Sequence, residues 1–433
     1  MRDFLPDDVR RREHVIGVIT RVYERYGFEP LETPAVENLE TLTGKYGDEG
    51  NKLIFKILKR GEHEKSGEAD LALRYDLTVP LARVMAQHHA KLPRLFKRYQ
   101  IQPVWRADRP ARGRFREFYQ CDVDSLGSTS PVVEAELCAA VADAMTELGF
   151  SQFLIRLNHR QLLTAVLDVC GIPAGKHAGV LVTLDKLDKI GWEGVSDDLA
   201  KQDITAAALA GLKSVGDRPT VTLDEIAALF AKAGSIPPAV DNLREIVGLA
   251  GHTSAGTRIV FDRFLARGLS YYTGAIMEVN VPDLAGSLGG GGRYDNLIGM
   301  FSGQDIPACG FSLGLERILV VMDERQMFPP SVGGRYADVM VTIWNEASKT
   351  DALALASELR KAGLRVDVYP EADKLGKQFK HAASRHVPLV TVVGDDERAA
   401  ATVTIKDLRS GRQDAIPRTE AGTHIRQALE RAP

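Results

Sequence analysis

Two short runs of residues constrain this chain more than any other feature. Residues 265–278 read LARGLSYYTGAIME, and residues 289–295 read GGGGRYD. The guanidinium of Arg267 is close in sequence to Tyr271 and Tyr272, and arginine forms paired hydrogen bonds with phosphate or carboxylate. Glycines allow a backbone to approach a ligand or another strand. The two runs predict a pocket for an anion and a small heterocycle; the alternative is a surface arginine followed by a flexible glycine loop.

Length and composition set wide bounds. The chain has 433 residues and a formal charge of −3, which allows several domains and argues neither for nor against a nucleic-acid partner. The four cysteines are scattered without a Cys-x-x-Cys pair, which is typical of reduced thiols and not of a zinc site. The N-terminus is charged, and no apolar run approaches the length of about 18 residues that a membrane span needs. We expect a soluble cytoplasmic protein with no membrane partner.

A Pro/Gly-rich linker divides the chain. Residues 329–334 read PPSVGG, and after them the pattern alternates strand, helix, strand, helix and strand, which predicts a small α/β domain with a largely parallel sheet over 335–433. Residues 1–328 mix hairpin-like strands with helices, an α+β pattern. Within them, residues 170–250 are rich in Ala, Lys and Asp at helical spacing and are interpreted as a helical insertion.

An arginine-rich loop is predicted between two strands, 100–106 and 115–123. Residues 94–116 contain eight Lys or Arg residues and one acid, Asp108. Arg106 ends the first strand and Arg114 precedes the second, so their guanidiniums would surround the mouth of a hairpin and hold a polyphosphate. Phe118 would be placed to stack on a base. A solvated charged face is the alternative.

Polar residues alternate along the second of these strands. Gln120, Asp122 and Asp124 must share one face, because successive side chains of a strand point to opposite sides. Together with Asp76 and Thr78 they suggest a lined pocket whose carboxylates accept from an amine or an imidazole N–H. The alternative is that these aspartates are ordinary surface residues.

A glycine-led strand is predicted to run into a helix over 310–322. The small residues of GFSLGLER at 310–317 permit close approach, and Arg317 on the first turns of the helix could meet a terminal phosphate. A capping glycine and a surface arginine would explain the same letters. The glycine run at 289–292 has neither the P-loop order nor the dinucleotide-binding order.

Taken in order, these segments resemble the histidyl-tRNA synthetases, a family of class II aminoacyl-tRNA synthetases. Residues 28–42 are similar to the first class motif, a dimer-interface element; VWRADRP at 104–110 with GRFREFYQ at 113–120 to the second; and 310–317 to the third. The runs 265–278 and 289–295 are similar to the histidine-specific motifs of this one family. RYDLTVP at 74–80 and QCDVD at 120–124 look closer to its eukaryotic-type branch.

The resemblance implies a fold, substrates and site residues. The fold is a class II catalytic core, an antiparallel sheet flanked by helices, with a helical insertion, followed by a C-terminal α/β anticodon-binding domain. ATP, L-histidine and tRNA(His) are the implied substrates, Mg²⁺ the implied cofactor and a homodimer the implied assembly. Arg106 and Arg267 would be catalytic. Histidine would be bound by Asp76, Leu77, Thr78, Arg106, Gln120, Asp124, Arg267, Tyr271 and Tyr272, and ATP by Arg106, Asp108, Arg114, Phe118, Tyr294, Gly314 and Arg317.

One departure from the family pattern stands beside Arg267. Ser270 occupies the position where the family usually has Asp, and loss of that carboxylate would leave Arg267 less firmly oriented. We expect reduced activity at most. Two alternatives to a histidine–tRNA ligase remain: a paralogue that activates histidine for an acceptor other than tRNA, and a regulatory paralogue that senses histidine.

Overall fold

The computed structural model describes residues 1–46, 50–61, 66–184, 186–216, 221–266, 271–282, 284, 286–333 and 335–431. They form two compact units, Met1–Phe328 and Pro329–Pro433. None of the described helices is long and apolar enough to cross a membrane.

A mixed sheet is the centre of the first unit. Its strands and those of a smaller sheet are β1 Glu29–Pro30, β2 Val36–Asn38, β3 Lys56–Leu58, β4 Ala69–Leu73, β5 Phe96–Trp105, β6 Glu117–Leu126, β7 Leu154–His159, β8 Ile259–Phe261, β9 Ala275–Asn280, β10 Gly289–Arg293 and β11 Ala308–Gly314. The large sheet has eight strands in the order β1-β5-β6-β11-β10-β9-β7-β8, and β2-β4-β3 form the small one. Only the edge pairs β1·β5 and β7·β8 of the large sheet are parallel. The mixed sheet agrees with the predicted class II core.

The predicted hairpin is the pair β5 and β6. Phe96 lies opposite Leu126 and Trp105 opposite Glu117, so the ladder is longer than the predicted strands 100–106 and 115–123. Cys121 and Val123 of β6 join the main apolar core on one side of the sheet. Because side chains alternate, the polar residues between them face the other side.

The glycine run forms a central strand, so its reading as a flexible loop is wrong. β10 pairs with β9 on one side and with β11 on the other. A Cβ at Gly291 would lie 2.0 Å from the carbonyl oxygen of Gly310, and a Cβ at Gly310 would lie 1.8 Å from Oδ1 of Asp124. A side chain at Gly291 would therefore push β10 away from β11, and one at Gly310 would displace Asp124.

Helices cover the sheet and build the insertion. Helices Pro6–Arg25, Val132–Glu147 and Leu315–Glu324 pack together against the sheet and supply much of its core. The helix Thr78–His88 belongs to a second apolar cluster, with Phe96 and Leu126. The described residues of 170–250 are mostly helical, as predicted. The remaining described helices of this unit are Leu39–Leu42, Arg160–Val169, His177–Leu184, Leu187–Ala200, Ala206–Gly216, Leu223–Ala233, Pro238–Ala250 and Gly299–Ser302.

The second unit is a five-stranded α/β fold. Its strands are β12 Val339–Val341, β13 Val366–Val368, β14 Leu389–Val392, β15 Thr402–Asp407 and β16 Gln413–Pro417, in the order β13-β12-β14-β15-β16. The first three are parallel, as predicted, whereas β15 and β16 add an antiparallel hairpin that the sequence reading missed. β16 alternates only between exposed and half-buried residues, so its signal was weak. The helices are Lys349–Lys361, Leu375–Ser384, Asp395–Ala400 and Ala421–Glu430.

Candidate active site

A small pocket lies on the polar face of the large sheet. Its cavity volume is about 20 Å³, and it opens where β6, β10 and β11 run side by side. Residues from distant parts of the chain meet there, which no local pattern predicts. They are Thr78, Asp122, Asp124, Tyr271, Tyr272, Gly290, Gly291, Tyr294, Gly310, Phe311 and Ser312.

The polar residues of β6 form one side of this pocket region. Gln120, Asp122 and Asp124 share a face of the strand as predicted, and they are only 8%, 2% and 2% exposed. The alternative of surface aspartates is therefore wrong. Burying carboxylates is costly unless they are paired and hydrogen-bonded, so their partners decide what the site can do.

Asp124 has two charged or polar partners. Nη2 of Arg98, which is fully buried, lies 2.9 Å from Oδ2 of Asp124, and the hydroxyl of Tyr294 donates to Oδ1. Burial raises the pKa of Asp124, and the neighbouring Arg98 opposes that shift. The sequence reading counted Arg98 among the basic residues but gave it no role. Arg98 lies directly opposite Asp124 in the observed hairpin, but both residues lie outside the predicted strands 100–106 and 115–123.

Asp76 is held at the start of the helix Thr78–His88. Its Oδ1 accepts from the Tyr46 hydroxyl at 2.9 Å and from the backbone N–H of Val79 at 3.1 Å, and the Tyr271 hydroxyl lies 3.5 Å from Oδ2. Burial raises the pKa of this carboxyl, against its hydrogen bonds and Arg106. Leu77, fully buried, directly precedes the helix. The structure thus brings Asp76 next to Tyr271, which belongs to the run 265–278.

Three tyrosine rings pack beside these carboxylates. The ring centroid of Tyr271 lies 5.2 Å from that of Tyr272 and 6.0 Å from that of Tyr294, both edge to face. Burial and the nearby Asp76 raise the pKa of the Tyr271 phenol, so it stays protonated and can donate. Arg267 and Ser270 lie outside the described residues.

Arg106 is fixed between two aromatic rings at the end of the hairpin. Its Nε donates to the carbonyl oxygen of Tyr75 at 3.0 Å, and its guanidinium carbon lies 4.3 Å from the Tyr75 ring centroid and 5.1 Å from that of Phe118. Phe118 pairs with Val104 across the hairpin. A cation held in this way is pre-oriented, and less freedom is lost when it meets an anion.

The arginine-rich loop reaches Arg317. Gly113 has φ +67° and a Cβ there would lie 3.2 Å from Cγ of Arg317, so the loop backbone packs on that side chain. Nη1 of Arg317 donates to the carbonyl oxygen of Ser287 at 2.5 Å. Gly314 directly precedes the helix that carries Arg317. Within the loop, Nε of Arg114 lies 3.9 Å from Oδ2 of Asp108.

Tyr294 lies in a different place from the other residues predicted to bind ATP. It is 2% exposed, and its hydroxyl bonds to Asp124 in the floor of the pocket. The sequence order of GGGGRYD gave no sign of this, because Tyr294 and Asp124 are 170 positions apart.

Sequence reasoning also missed two supporting carboxylates. Glu134 forms a two-bond ion pair with Arg293, from Nε at 2.6 Å and Nη2 at 2.9 Å, and so anchors the end of β10. Glu316 accepts from the backbone N–H of Tyr119 at 3.0 Å, and burial raises its pKa to about 7. Within the described residues no group of three or more His, Cys, Asp or Glu side chains is arranged to hold a metal ion.

Comparison with protein families gives a match over both units. The model of the family "Histidyl-tRNA synthetase" matches residues 1–318, and the model "Anticodon binding domain" matches residues 338–428. Together the two models span most of the chain.

Curated relatives and solved structures agree with this match. The chain is 42% identical to the histidine–tRNA ligase of Gloeobacter violaceus, over 98% of this chain and 97% of that protein, and 38% identical to that of Cytophaga hutchinsonii, over 95% of each. The crystal structure of histidyl-tRNA synthetase from Nostoc sp. PCC 7120 superposes with a TM-score of 0.80 at 30% identity, covering 99% of this chain and 97% of that one. The chain belongs to the histidyl-tRNA synthetase family.

Proposed function

We propose that this chain joins L-histidine to tRNA(His) in two steps, through a histidyl-adenylate made from ATP. The relatives named as histidine–tRNA ligases span nearly its whole length at 36–42% identity. The proposal for individual residues rests on the geometry of the pocket and on the motifs that led to it.

Two buried acceptor atoms carry the assignment of histidine. Oε1 of Gln120 has no hydrogen-bond partner among the described residues, and Oδ2 of Asp124 is met there only by Nη2 of Arg98, at 2.9 Å, which leaves it a further lone pair. Unsatisfied buried acceptors are costly and call for a donor from a ligand. Histidine brings two donors, its α-ammonium group and a ring N–H. We assign the ammonium to Gln120 with Asp76 and Thr78, and the ring N–H to Asp124.

The phenols complete the amino-acid site. Tyr272, with Tyr271 beside it, would meet the second ring nitrogen, and Leu77 would support the backbone beneath the amino group. Tyr294, bonded to Asp124, is better suited to fix that carboxylate than to contact ATP. An amino acid without a ring N–H would leave the remaining lone pair of Asp124 Oδ2 without a donor, and such a mismatch is rejected strongly.

The arginines would bring two anions together. Arg106 would bridge the histidine carboxylate and the α-phosphate, and Arg267 would stabilise the α-phosphate when the carboxylate oxygen attacks it and pyrophosphate leaves. Phe118 would stack on adenine. Arg317 would hold the γ-phosphate near Gly314, with Arg114 and Asp108 closing over the nucleotide from the loop.

Mg²⁺ fits this scheme as a companion of the nucleotide. It usually keeps several waters and takes ligands from substrate phosphates, so a protein cage of carboxylates is not needed. Bound there, it would offset charge on the phosphates.

Each of the two units is assigned its own function. We assign residues 1–328, with the insertion 170–250, to catalysis and residues 335–433 to anticodon binding. We also propose a homodimer that uses residues 28–42, a eukaryotic-type branch of the family on the wording of 74–80 and 120–124, and a cytoplasmic location. The four cysteines are free thiols, as a reducing compartment favours.

Two other functions would use the same amino-acid pocket. A solved structure titled "ATP phosphoribosyltransferase regulatory subunit/histidyl-tRNA synthetase" from Bacillus halodurans shares the fold, with a TM-score of 0.72 at 21% identity. A histidine-sensing role needs no anticodon-binding domain, whereas residues 338–428 match one. Ser270 keeps open a histidine-activating enzyme with another acceptor.

Two assays on the purified chain separate these functions. A histidine–tRNA ligase will exchange pyrophosphate with ATP only when histidine is present, and will charge tRNA with labelled histidine. Exchange without charging would favour another acceptor. Histidine binding without exchange would favour a sensor and contradict the proposal.

A further inference from the structure

The side-chain amide of Gln120 is held in one orientation. Its Nε2 donates to Oδ1 of Asp122 at 3.3 Å and to Oγ of Ser312 at 3.0 Å. Its Oε1 is left buried and without a hydrogen-bond partner among the described residues. Both partners of Nε2 line the pocket, so the nitrogen is engaged by the protein while the oxygen remains available to a ligand.

The two partners differ in what they can enforce. A hydroxyl both donates and accepts, so Ser312 would tolerate either end of the amide. An ionised carboxylate only accepts, so Asp122 in its ionised form bonds Nε2 and rejects Oε1. The two ends of an amide have nearly the same shape, and the carboxylate therefore decides which end is left for the ligand.

Strand pairing fixes Asp122 in this position. It lies opposite Gln100 on β5 and opposite Ser312 on β11, and it is 2% exposed. Burial raises the pKa of Asp122 to about 7, with Arg98 acting against that shift and Asp124 adding to it. A ligand that brings a positive charge would favour the ionised form, which is the form that orients Gln120.

We propose that Asp122 is a positioning residue that sets the amide of Gln120, and thereby selects ligands carrying an α-ammonium group. This inference rests on the proposed function, in which Gln120 receives the amino group of histidine. Reversal of the amide would present N–H to the ammonium, so both the lost bond and the repulsion weaken binding.

Two histidine analogues isolate the amino group. Histidinol keeps the ammonium and lacks the carboxylate, whereas imidazolepropionate keeps the carboxylate and lacks the ammonium. The dissociation constants of both would be measured by calorimetry on the full chain, without ATP. We expect Asp122→Asn to weaken histidinol by about 10-fold or more, since an asparagine can face Gln120 with either end, and to leave imidazolepropionate nearly unchanged. Ser312→Ala should weaken histidinol less than Asp122→Asn does.

A double-mutant cycle separates orientation from simple charge. In a Gln120→Met background there is no amide to orient, so Asp122→Asn should add almost nothing to the loss of histidinol affinity. An equal loss in both backgrounds would mean that Asp122 acts through its charge alone, and would overturn the inference. Equal loss for both analogues would overturn it as well, since that is what a distorted pocket gives.

Asp143→Asn is the matched control. Asp143 is a carboxylate outside the pocket lining that accepts from the Tyr26 hydroxyl at 2.7 Å, and its variant should bind both analogues as the wild type does. If the wild-type chain itself fails to bind histidinol, the proposed function fails and the inference with it. If the wild type binds and Asp122→Asn binds equally well, only the inference fails.

Discussion

The two units of this chain differ in where their charged side chains lie. The sheet of the first unit buries Arg98, Asp122 and Asp124 on its polar face. The sheet of the second unit has Val339 and Leu389 at its centre, and ion pairs such as Arg418 with Glu358 lie towards solvent. Since buried charges cost stability unless they are paired, their concentration in the first unit points to chemistry there.

Two ion pairs, one in each unit, allow a direct comparison of buried and exposed charge. Arg293 and Glu134 in the first unit, and Arg418 and Glu358 in the second, each form two parallel hydrogen bonds. The Glu134 side chain is 1% exposed and the Glu358 side chain 53%. The same chemistry therefore occurs at opposite extremes of burial.

The largest effect is expected from Glu134→Gln. The change removes the buried carboxylate that holds Nε and Nη2 of Arg293 and leaves Asp295, 3.2 Å from Nη1, as the remaining carboxylate partner. Breaking a buried pair costs about 3–5 kcal/mol. Native-state hydrogen exchange of the amides of β10 and β11 would measure the loss, because the two units do not have to unfold together. A loss as small as that of a surface pair would show that Asp295 alone is enough to compensate Arg293.

The substitution Arg106→Gln tests catalysis, whereas Glu134→Gln tests stability. Removing the cation that bridges carboxylate and α-phosphate should lower kcat of histidine-dependent pyrophosphate exchange about 10²–10³-fold. Arg112→Gln is the control from the same loop, since Arg112 pairs with Glu324 at the surface, and it should remain close to wild type. Equal activity of the two variants would remove Arg106 from the mechanism.

The buried carboxyl of Asp122 predicts a dependence of stability on pH. The folded chain keeps this proton up to about pH 7, whereas an unfolded aspartate loses it near pH 4. The folded state binds more protons in that window, so stability falls as pH rises, by at most about 1.4 kcal/mol per pH unit from this group. The free energy of unfolding of the wild type should therefore fall relative to that of Asp122→Asn as the pH rises from 4 to 7. A difference that stays constant across this range would mean that Asp122 is ionised throughout.

The smallest effect is expected from Glu358→Gln. An exposed pair contributes about 0–1 kcal/mol, because solvent screens it and two side chains must be ordered to form it. Hydrogen exchange in β14 and β15 gives the measurement. A loss comparable with that of Glu134→Gln would end the contrast between the units.

The sequence predicted those parts of the fold that local patterns encode. Alternation gave the hairpin of β5 and β6 and the shared face of Gln120 and Asp124, and helical spacing gave the insertion. Resemblance supplied the roles, which local pattern alone left open. The C-terminal hairpin was missed, although Val403 and Ile405 of β15 are buried, and its second strand β16 alternates only between exposed and half-buried residues.

What the sequence could not supply are partners from distant segments. Arg98 meets Asp124 because the hairpin ladder extends beyond the predicted strands, and Tyr294 reaches the same carboxylate across 170 positions. The glycine run looked like a loop, because its strand character comes from two neighbouring strands that leave no room for side chains. Such contacts exist only once the sheet has formed.

A crystal structure of the chain with L-histidine tests the central claim most directly. We expect the α-ammonium group to lie within hydrogen-bond distance of Oε1 of Gln120, and a ring N–H to donate to Oδ2 of Asp124. Histidine bound elsewhere, or turned so that its ring meets neither Asp124 nor Tyr272, would contradict the assignment of this pocket.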